Sequence, residues 1–291
     1  MHEYGRFMEG EKIAIVYVDG IISKKTESKF TRAMKEIRED KSIKCVVLRI
    51  NSPGGSAISA EKMLMDCIDL NVPVISSFSN MAASGGYYIA ANCEKIFGMP
   101  TSLTGSIGVF GIRPDFSDYV RRFGINVEHV TTGEHALTNS ILHPLTPKIE
   151  ASINRNIDNT YEWFKKIVGI GRKMTPEEVQ EIAEGRVWTG DAARSVNLID
   201  EFGGLQKAID YAQNKFCTSS HPEIEIWPKQ KKLAEVVQQK LGGNEMESKS
   251  FAKLEGKMLS YLRNTSSSSN VYLTADESTL FETFIEDIIE H

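Results

Sequence analysis

The sequence lacks any apolar run that approaches the roughly 18 to 20 residues a membrane span requires. Its first residues also lack the basic-then-apolar pattern of a secretory signal. We therefore expect the chain as given to be soluble. Residues 1–12 read like a short lead-in to a strand, which leaves room for a preceding anchor or domain. Membrane association would then come from a segment outside this sequence.

The sequence lacks the residues that two classes of ligand, nucleic acids and metal ions, require. A net charge of -5, an isoelectric point near 5.8 and the absence of a basic stripe with interleaved aromatic residues exclude a nucleic-acid partner. The four cysteines form no CxxC pair and no His–Cys ligand spacing, so we predict no metal site. Nothing in the sequence indicates an organic cofactor. Three of the cysteines lie in apolar segments, where we interpret them as core residues.

Strand-like and helix-like segments alternate through the first half of the chain. The strand candidates are continuous apolar runs, and the first helix candidate has apolar residues at helical spacing. The predicted order is strand 13–18, helix 27–39, strand 44–50, helix 57–69, a strand opening at Val72, a helix beginning at Ser84, and short strands near 95–98 and 106–110. Solidly apolar strands separated by helices predict an α/β fold with a mainly parallel sheet covered on both faces.

The second half of the chain is more helical. Apolar residues form one helical stripe over 146–170, Thr175 with Pro176 and Glu178 predicts a capped helix start, and Thr189 starts another helix. Near residue 229 the composition shifts to a charged stretch followed by a run of four serines. We therefore predict one domain over residues 1–228 and a charged, partly flexible extension over residues 229–291.

One glycine-rich turn in the first half has residues suited to catalysis. The segment Asn51–Ser56 follows a predicted buried strand, and its Gly54 and Gly55 allow backbone amides to approach a ligand closely. Such amides can hold a developing oxyanion. A Pro-Gly-Gly sequence is also common in turns that bind nothing, so the segment alone does not decide between the two interpretations.

A serine lies between small residues in the segment Met81–Ala90, where a helix is predicted to begin. This residue, Ser84, suits a nucleophile because a helix N-terminus favours negative charge and the amide of Gly85 can serve an oxyanion hole. The alternative interpretation is an N-cap serine in a tightly packed turn. A further small-residue segment, Thr101–Val109, fits either a lining for a peptide channel or a close-packed turn.

The order and spacing of these segments resemble the signal peptide peptidase A family, also called protease IV. The resemblance covers roughly residues 12–215 and includes two later segments, Gly185–Gly190 and Leu198–Gly203. It implies a ClpP/crotonase-like spiral of ββα units, with a mainly parallel sheet and a helical second half.

The same resemblance implies roles for individual residues. Ser84 would be the nucleophile, and the Gly54–Gly55 turn and the Gly85 amide would stabilise the oxyanion. Small side chains at Ala82, Ala83 and Gly86 would leave room for an extended peptide. The resemblance further implies hydrophobic, signal-peptide-like substrates, a ring- or bowl-shaped homo-oligomer, and a location at the membrane of the bacterial cell envelope or of a plastid.

The general base of this family is a lysine, and the sequence lacks it at the expected position. A lysine can act as a base only when burial and neighbours lower its pKa enough to leave it neutral. Single-domain members have this lysine about fifty residues after the serine, which falls on or near Ala136, and no lysine occurs between Lys95 and Lys148. In tandem, double-length members the C-terminal half bears the serine and the N-terminal half supplies the lysine. Residues 131–147 look more like that C-terminal half.

Several explanations for the missing lysine stay open. The chain is a separated half that needs a lysine-bearing partner domain or subunit, its lysine has been substituted, it uses His135 or Lys148 instead, or it is a pseudoprotease that binds peptides without turnover.

Two related enzyme classes fit the sequence less well. A ClpP peptidase would place its histidine near Val109, and a crotonase-type acyl-CoA enzyme normally has an acidic residue in place of the serine. We therefore predict a serine endopeptidase whose lysine comes from another domain or subunit.

Overall fold

The structure, a computed structural model, describes residues 10–133 and 136–229. The predicted extension over 229–291 lies outside these residues except for Lys229, so the domain boundary stays a prediction. His135 also lies outside the described residues. No helix in the described ranges is both long enough and apolar enough to cross a bilayer.

The described residues form eight strands and eight helices that alternate through the first half. The strands are Lys12–Asp19 (β1), Ile43–Ser52 (β2), Val74–Ala83 (β3), Lys95–Gly98 (β4), Leu103–Gly105 (β5), Val187–Thr189 (β6), Glu201–Phe202 (β7) and Glu223–Trp227 (β8). The helices are Lys24–Glu39 (α1), Ala57–Ile68 (α2), Gly85–Ala90 (α3), Ser117–Arg122 (α4), Pro147–Arg172 (α5), Pro176–Ile182 (α6), Gly190–Ser195 (α7) and Leu205–Phe216 (α8).

All of these strands belong to one sheet. Its order is β6-β5-β3-β2-β1-β8, and β4 pairs with both β3 and β7. Every pair is parallel except β5 with β6. The long strand β3 pairs with β4 through Ile75–Ser77 and with β5 through Met81–Ala83, so two strands share one of its edges. The predicted α/β fold with a mainly parallel sheet is confirmed.

Helices cover both faces of the sheet, which explains the continuous apolar runs of the strands. On β1, Ile13 and Ile15 pack in one cluster with Ala208 and Ile209 of α8. The alternate residues of β1 pack in the other cluster, which includes the buried apolar residues of α1 and α2. Because successive side chains of a strand point to opposite faces, each face needs its own apolar set. Cys45, Cys67 and Cys93 are buried, which confirms the core interpretation of three cysteines.

The strand predicted near 106–110 is wrong. Strand β5 ends at Gly105 because Gly105 and Ser106 have φ values of 77° and 50°, which extended chain does not adopt. The Ser106 amide instead donates a hydrogen bond to the carbonyl oxygen of Arg186, at 2.7 Å. The apolar residues that follow are therefore not strand residues.

Candidate active site around Ser84

Ser84 occupies a strained turn between strand β3 and helix α3. Its φ of 52° and ψ of -122° lie in a region that residues other than glycine rarely adopt, at a cost of about 1–3 kcal/mol. Its N–H donates to the carbonyl oxygen of Gly105, and its own carbonyl oxygen accepts from the N–H of Tyr88, both at 2.9 Å. Strand pairing on one side and the first helical bond on the other therefore hold the strained conformation. A sharp strand-to-helix turn with a serine at its tip is the arrangement of a nucleophile elbow.

Gly54 lies directly against this turn. The strands β2 and β3 are parallel neighbours, so the segments that follow them meet at one edge of the sheet. Gly54 has a φ of 97°, and a Cβ on it would lie 2.7 Å from the Gly85 nitrogen and 2.8 Å from the Ser84 Cβ. The position therefore requires glycine for two reasons, the backbone conformation and the contact with the serine turn.

A neighbouring segment fixes the same glycine turn from the other side. The N–H of Ile22 donates to the carbonyl oxygen of Gly54 at 2.8 Å, and the N–H of Ser56 donates to the carbonyl oxygen of Ile22 at 2.9 Å. A Cβ on Gly55 would lie 2.2 Å from the Ile22 carbonyl oxygen. The role of Ile22 was not predicted from the sequence, in which it is the second of two adjacent isoleucines between a strand and a helix.

The turn contains amides with and without partners. The N–H of Gly54 donates to the Ser52 hydroxyl oxygen at 3.1 Å. In the ranges that the structure describes, the N–H groups of Gly55 and Gly85 have no hydrogen-bond acceptor. The Gly85 amide is the first of helix α3, where N–H groups lack an intrahelical acceptor. The Gly85 amide, which follows Ser84 directly, can therefore donate to an oxyanion there, and the Gly55 amide follows the glycine that contacts the serine turn.

The Ser84 hydroxyl makes no hydrogen bond to any side chain among the described residues. Two lysines of the neighbouring helices, Lys24 and Lys62, contact the carboxylate of Glu27 at 2.8 and 3.0 Å. The hydrogen bond to Glu27 raises the pKa of Lys62, so this side chain is charged at neutral pH and unsuited to act as a base. Within the part of the chain that the structure describes, no base therefore contacts the serine.

Two of the positions considered for a base, Ala136 and Lys148, are exposed. Ala136, where the family lysine is expected, is exposed in a turn, and its N–H donates to the carbonyl oxygen of Gly133 at 3.2 Å. Lys148 is exposed at the second residue of helix α5. Its use as a substitute base stays a prediction.

The expectation that small side chains leave room for a peptide is wrong for Ala82, Ala83 and Gly86. All three are buried, and a Cβ on Gly86 would lie 3.0 Å from the Ser52 carbonyl oxygen. Their small size therefore serves internal packing. The segment Thr101–Val109 is also close-packed at Gly105, where an added Cβ would lie 2.6 Å from Cδ1 of Trp188.

Comparison with protein families gives one decisive match. The model of peptidase family S49 matches residues 68–216, a range that includes Ser84 and Gly85. The chain belongs to peptidase family S49. This is a family of serine proteases, and the resemblance found in the sequence is confirmed.

Named relatives agree with the S49 assignment. Protease 4 of Haemophilus influenzae is 35% identical over 212 residues, which are 69% of this chain and 34% of the relative. The chloroplastic serine protease SPPA of Arabidopsis thaliana is 37% identical over 185 residues, 62% of this chain and 27% of the relative. The putative signal peptide peptidase SppA of Enterococcus faecium is 33% identical over 214 residues, 69% of this chain and 62% of the relative. The S49 chain thus spans about a third or less of the first two relatives.

Proposed function

We propose that this S49 chain is the nucleophile-bearing part of a serine endopeptidase. One observation carries the proposal. Ser84 lies on a strained strand-to-helix turn against Gly54, and the residues that follow these two, Gly85 and Gly55, have amide groups without acceptors among the described residues. The general base is a neutral lysine supplied by another domain or subunit, because the described residues place no base against the serine.

The reaction is acyl transfer through Ser84. The lysine amine accepts the hydroxyl proton while the Ser84 oxygen attacks the peptide carbonyl carbon. The carbonyl oxygen becomes an oxyanion that accepts hydrogen bonds from the amides of Gly55 and Gly85. Gly54 contributes by its contact with the serine turn. The carbon–nitrogen bond then breaks, and the lysine ammonium returns the proton to the leaving amine. Water, deprotonated by the same lysine, hydrolyses the acyl-enzyme and restores the serine.

The substrates and the assembly are part of the same proposal. We expect hydrophobic, signal-peptide-like peptides, which the name of the Enterococcus relative supports. We expect a homo-oligomer or a complex with a lysine-bearing partner at the bacterial cell envelope, attached to the membrane through a segment other than the described helices.

A second function is favoured by one observation. Because no described side chain accepts the proton of Ser84, the chain also fits a pseudoprotease that binds peptides without cleaving them. Retained peptide binding without any reaction of Ser84 would distinguish this function from the protease.

The test is the measurement of intact mass after treatment with a fluorophosphonate serine probe, on the full chain and on Ser84→Ala. We expect one probe per chain where the base is present, and no probe on Ser84→Ala with its circular dichroism unchanged. Probe retained on Ser84→Ala would overturn the assignment of the nucleophile.

The same experiment locates the base. Labelling of the chain alone would place the base within the chain or its homo-oligomer, and would reject a separate lysine-bearing partner. Without labelling, Ala136→Lys restores a lysine at the family position. Faster labelling of this variant would indicate a substituted lysine, whereas labelling only after addition of a lysine-bearing partner would support the tandem arrangement.

A further inference from the structure

Helices α1 and α2 begin side by side, directly behind the glycine turn. Ser23 caps α1 and Ser56 caps α2. The residues that precede these two caps, Ile22 and Gly55, form a parallel bridge. Any change in the separation of the two helix starts therefore changes the bridge, and with it the Gly54–Gly55 turn.

A buried carboxylate joins the two helices one turn further along. Glu27 on α1 is 1% exposed and accepts a hydrogen bond from the Ser59 hydroxyl of α2 at 3.1 Å. Its carboxylate also contacts the Nζ of Lys24, on its own helix, at 2.8 Å and the Nζ of Lys62, on α2, at 3.0 Å. Glu27 thus makes two of its polar contacts across the boundary between the helices.

The surroundings keep this carboxylate charged. Hydrogen bonds from Lys24, and then from Lys62, lower the pKa of Glu27 to about 2. The carboxylate also lies in the first turns of two helices, where the helix dipole favours negative charge. Both lysines are half-exposed or more, so water can solvate them when the carboxylate is removed.

We propose that Glu27 is a positioning residue that holds the Gly54–Gly55 turn in register against Ser84, through the Ile22–Gly55 bridge. It does not touch the reacting atoms. Its effect on catalysis rests on the proposed function, whereas its effect on the turn does not.

The first measurement is hydrogen exchange in Glu27→Gln, which keeps the size of the side chain and removes its charge. The reporters are the amides of Ile22 and Ser56, which form the two hydrogen bonds of the bridge. We expect these amides to exchange about 10-fold faster, with exchange in the central strand β2 unchanged. The matched control is Glu36→Gln, which removes one charge from an exposed position of the same helix.

The second measurement is the rate of fluorophosphonate labelling of Ser84 in the same variants. We expect Glu27→Gln to label about 10-fold more slowly, a fraction of the loss caused by removing an oxyanion donor. Glu36→Gln should label at the wild-type rate. A merely stabilising role would lower the unfolding midpoint and leave the labelling rate of the folded protein unchanged.

Each combination of results decides the inference. Faster exchange with slower labelling supports it. Unchanged exchange at Ile22 and Ser56 overturns it, and so does faster exchange with an unchanged labelling rate. Where the wild type labels only with a lysine-bearing partner present, the labelling rates are compared with that partner present. Faster exchange in a protein whose wild type does not label even then supports the hold on the turn and counts against the proposed function. Should Glu27→Gln fail to fold, Ser59→Ala removes one contact across the helices and is measured in the same way.

Discussion

At the scale of single residues, the glycine turn is the part of the site that tolerates substitution least. Gly54→Ala would place a Cβ 2.7 Å from a backbone nitrogen and 2.8 Å from the Ser84 Cβ, at a φ of 97°. Because neither atom is the end of a flexible side chain, the turn must shift. We expect the free energy of unfolding to fall by about 2–4 kcal/mol and Ser84 labelling to be lost. Urea unfolding and intact-mass labelling measure the two effects.

The matched control for this change is Gly20→Ala. Gly20 also has a positive φ, 71°, but an added Cβ there meets no atom within 4 Å. We expect a cost of about 1 kcal/mol from the backbone conformation alone, with normal labelling. An equal loss of stability in both variants would show that the contact with Ser84 has no energetic consequence.

The sequence predicted part of this residue-scale geometry. Gly54, Gly55 and Ser84 could be found because glycine before a helix, and serine between small residues, are local patterns. The roles of Ile22 and Ser52 could not be found in the same way. Ile22 acts through its backbone groups, which any residue possesses, and the contact of Ser52 with the Gly54 amide depends on the shape of the turn.

At the scale of secondary structure, the start of helix α6 tests whether a capping sequence stabilises a helix as predicted. The Thr175 hydroxyl accepts from the Glu178 N–H at 3.2 Å, and the Glu178 carboxylate accepts from the Thr175 N–H at 2.7 Å. We expect Thr175→Ala to lower the free energy of unfolding by about 1 kcal/mol. Thr160→Ala, in the interior of α5, is the control and should be neutral or stabilising, because alanine is the better helix former. A cost at position 160 equal to that at 175 would contradict the capping argument.

Helices and strands were predicted best where the residues that determine them are close together in sequence. The α6 start and the apolar strand β1 were predicted closely because caps and apolar runs are contiguous in sequence. Strand β3 was predicted only at its beginning, because it continues through a polar stretch. Its Ser77 hydroxyl accepts a hydrogen bond from the Arg49 guanidinium of β2 at 2.9 Å. A buried polar strand of this kind depends on a partner 28 positions away, which local periodicity does not show.

At the scale of the whole molecule, strands far apart in sequence complete the sheet. Strand β8 pairs with β1, so the last described strand closes on the first. The Lys12 ammonium crosses this pair to the Glu225 carboxylate at 2.9 Å. The sequence predicted the parallel sheet from its alternation of elements, but not this pairing, because nothing local to residues 223–227 identifies β1 as the neighbour.

Carboxylates that are paired with lysines make the fold sensitive to acid. Hydrogen bonds from Lys24 lower the pKa of Glu27 to about 2, and those from Lys207 lower the pKa of Glu201. An unfolded glutamate has a pKa of about 4.3, so the unfolded chain binds more protons at low pH. These groups therefore stabilise the fold above about pH 4.3, and the contribution of Glu27 is lost as the pH falls toward 2.

We expect the free energy of unfolding in urea to decrease steadily between about pH 4.5 and pH 2.5. Glu27→Gln should decrease less steeply than the wild type over this range, because one of the responsible carboxylates is gone. Parallel curves for the two proteins would show that the Glu27 carboxylate is not charged and paired in the folded state, which would remove the physical basis for its hold on the glycine turn.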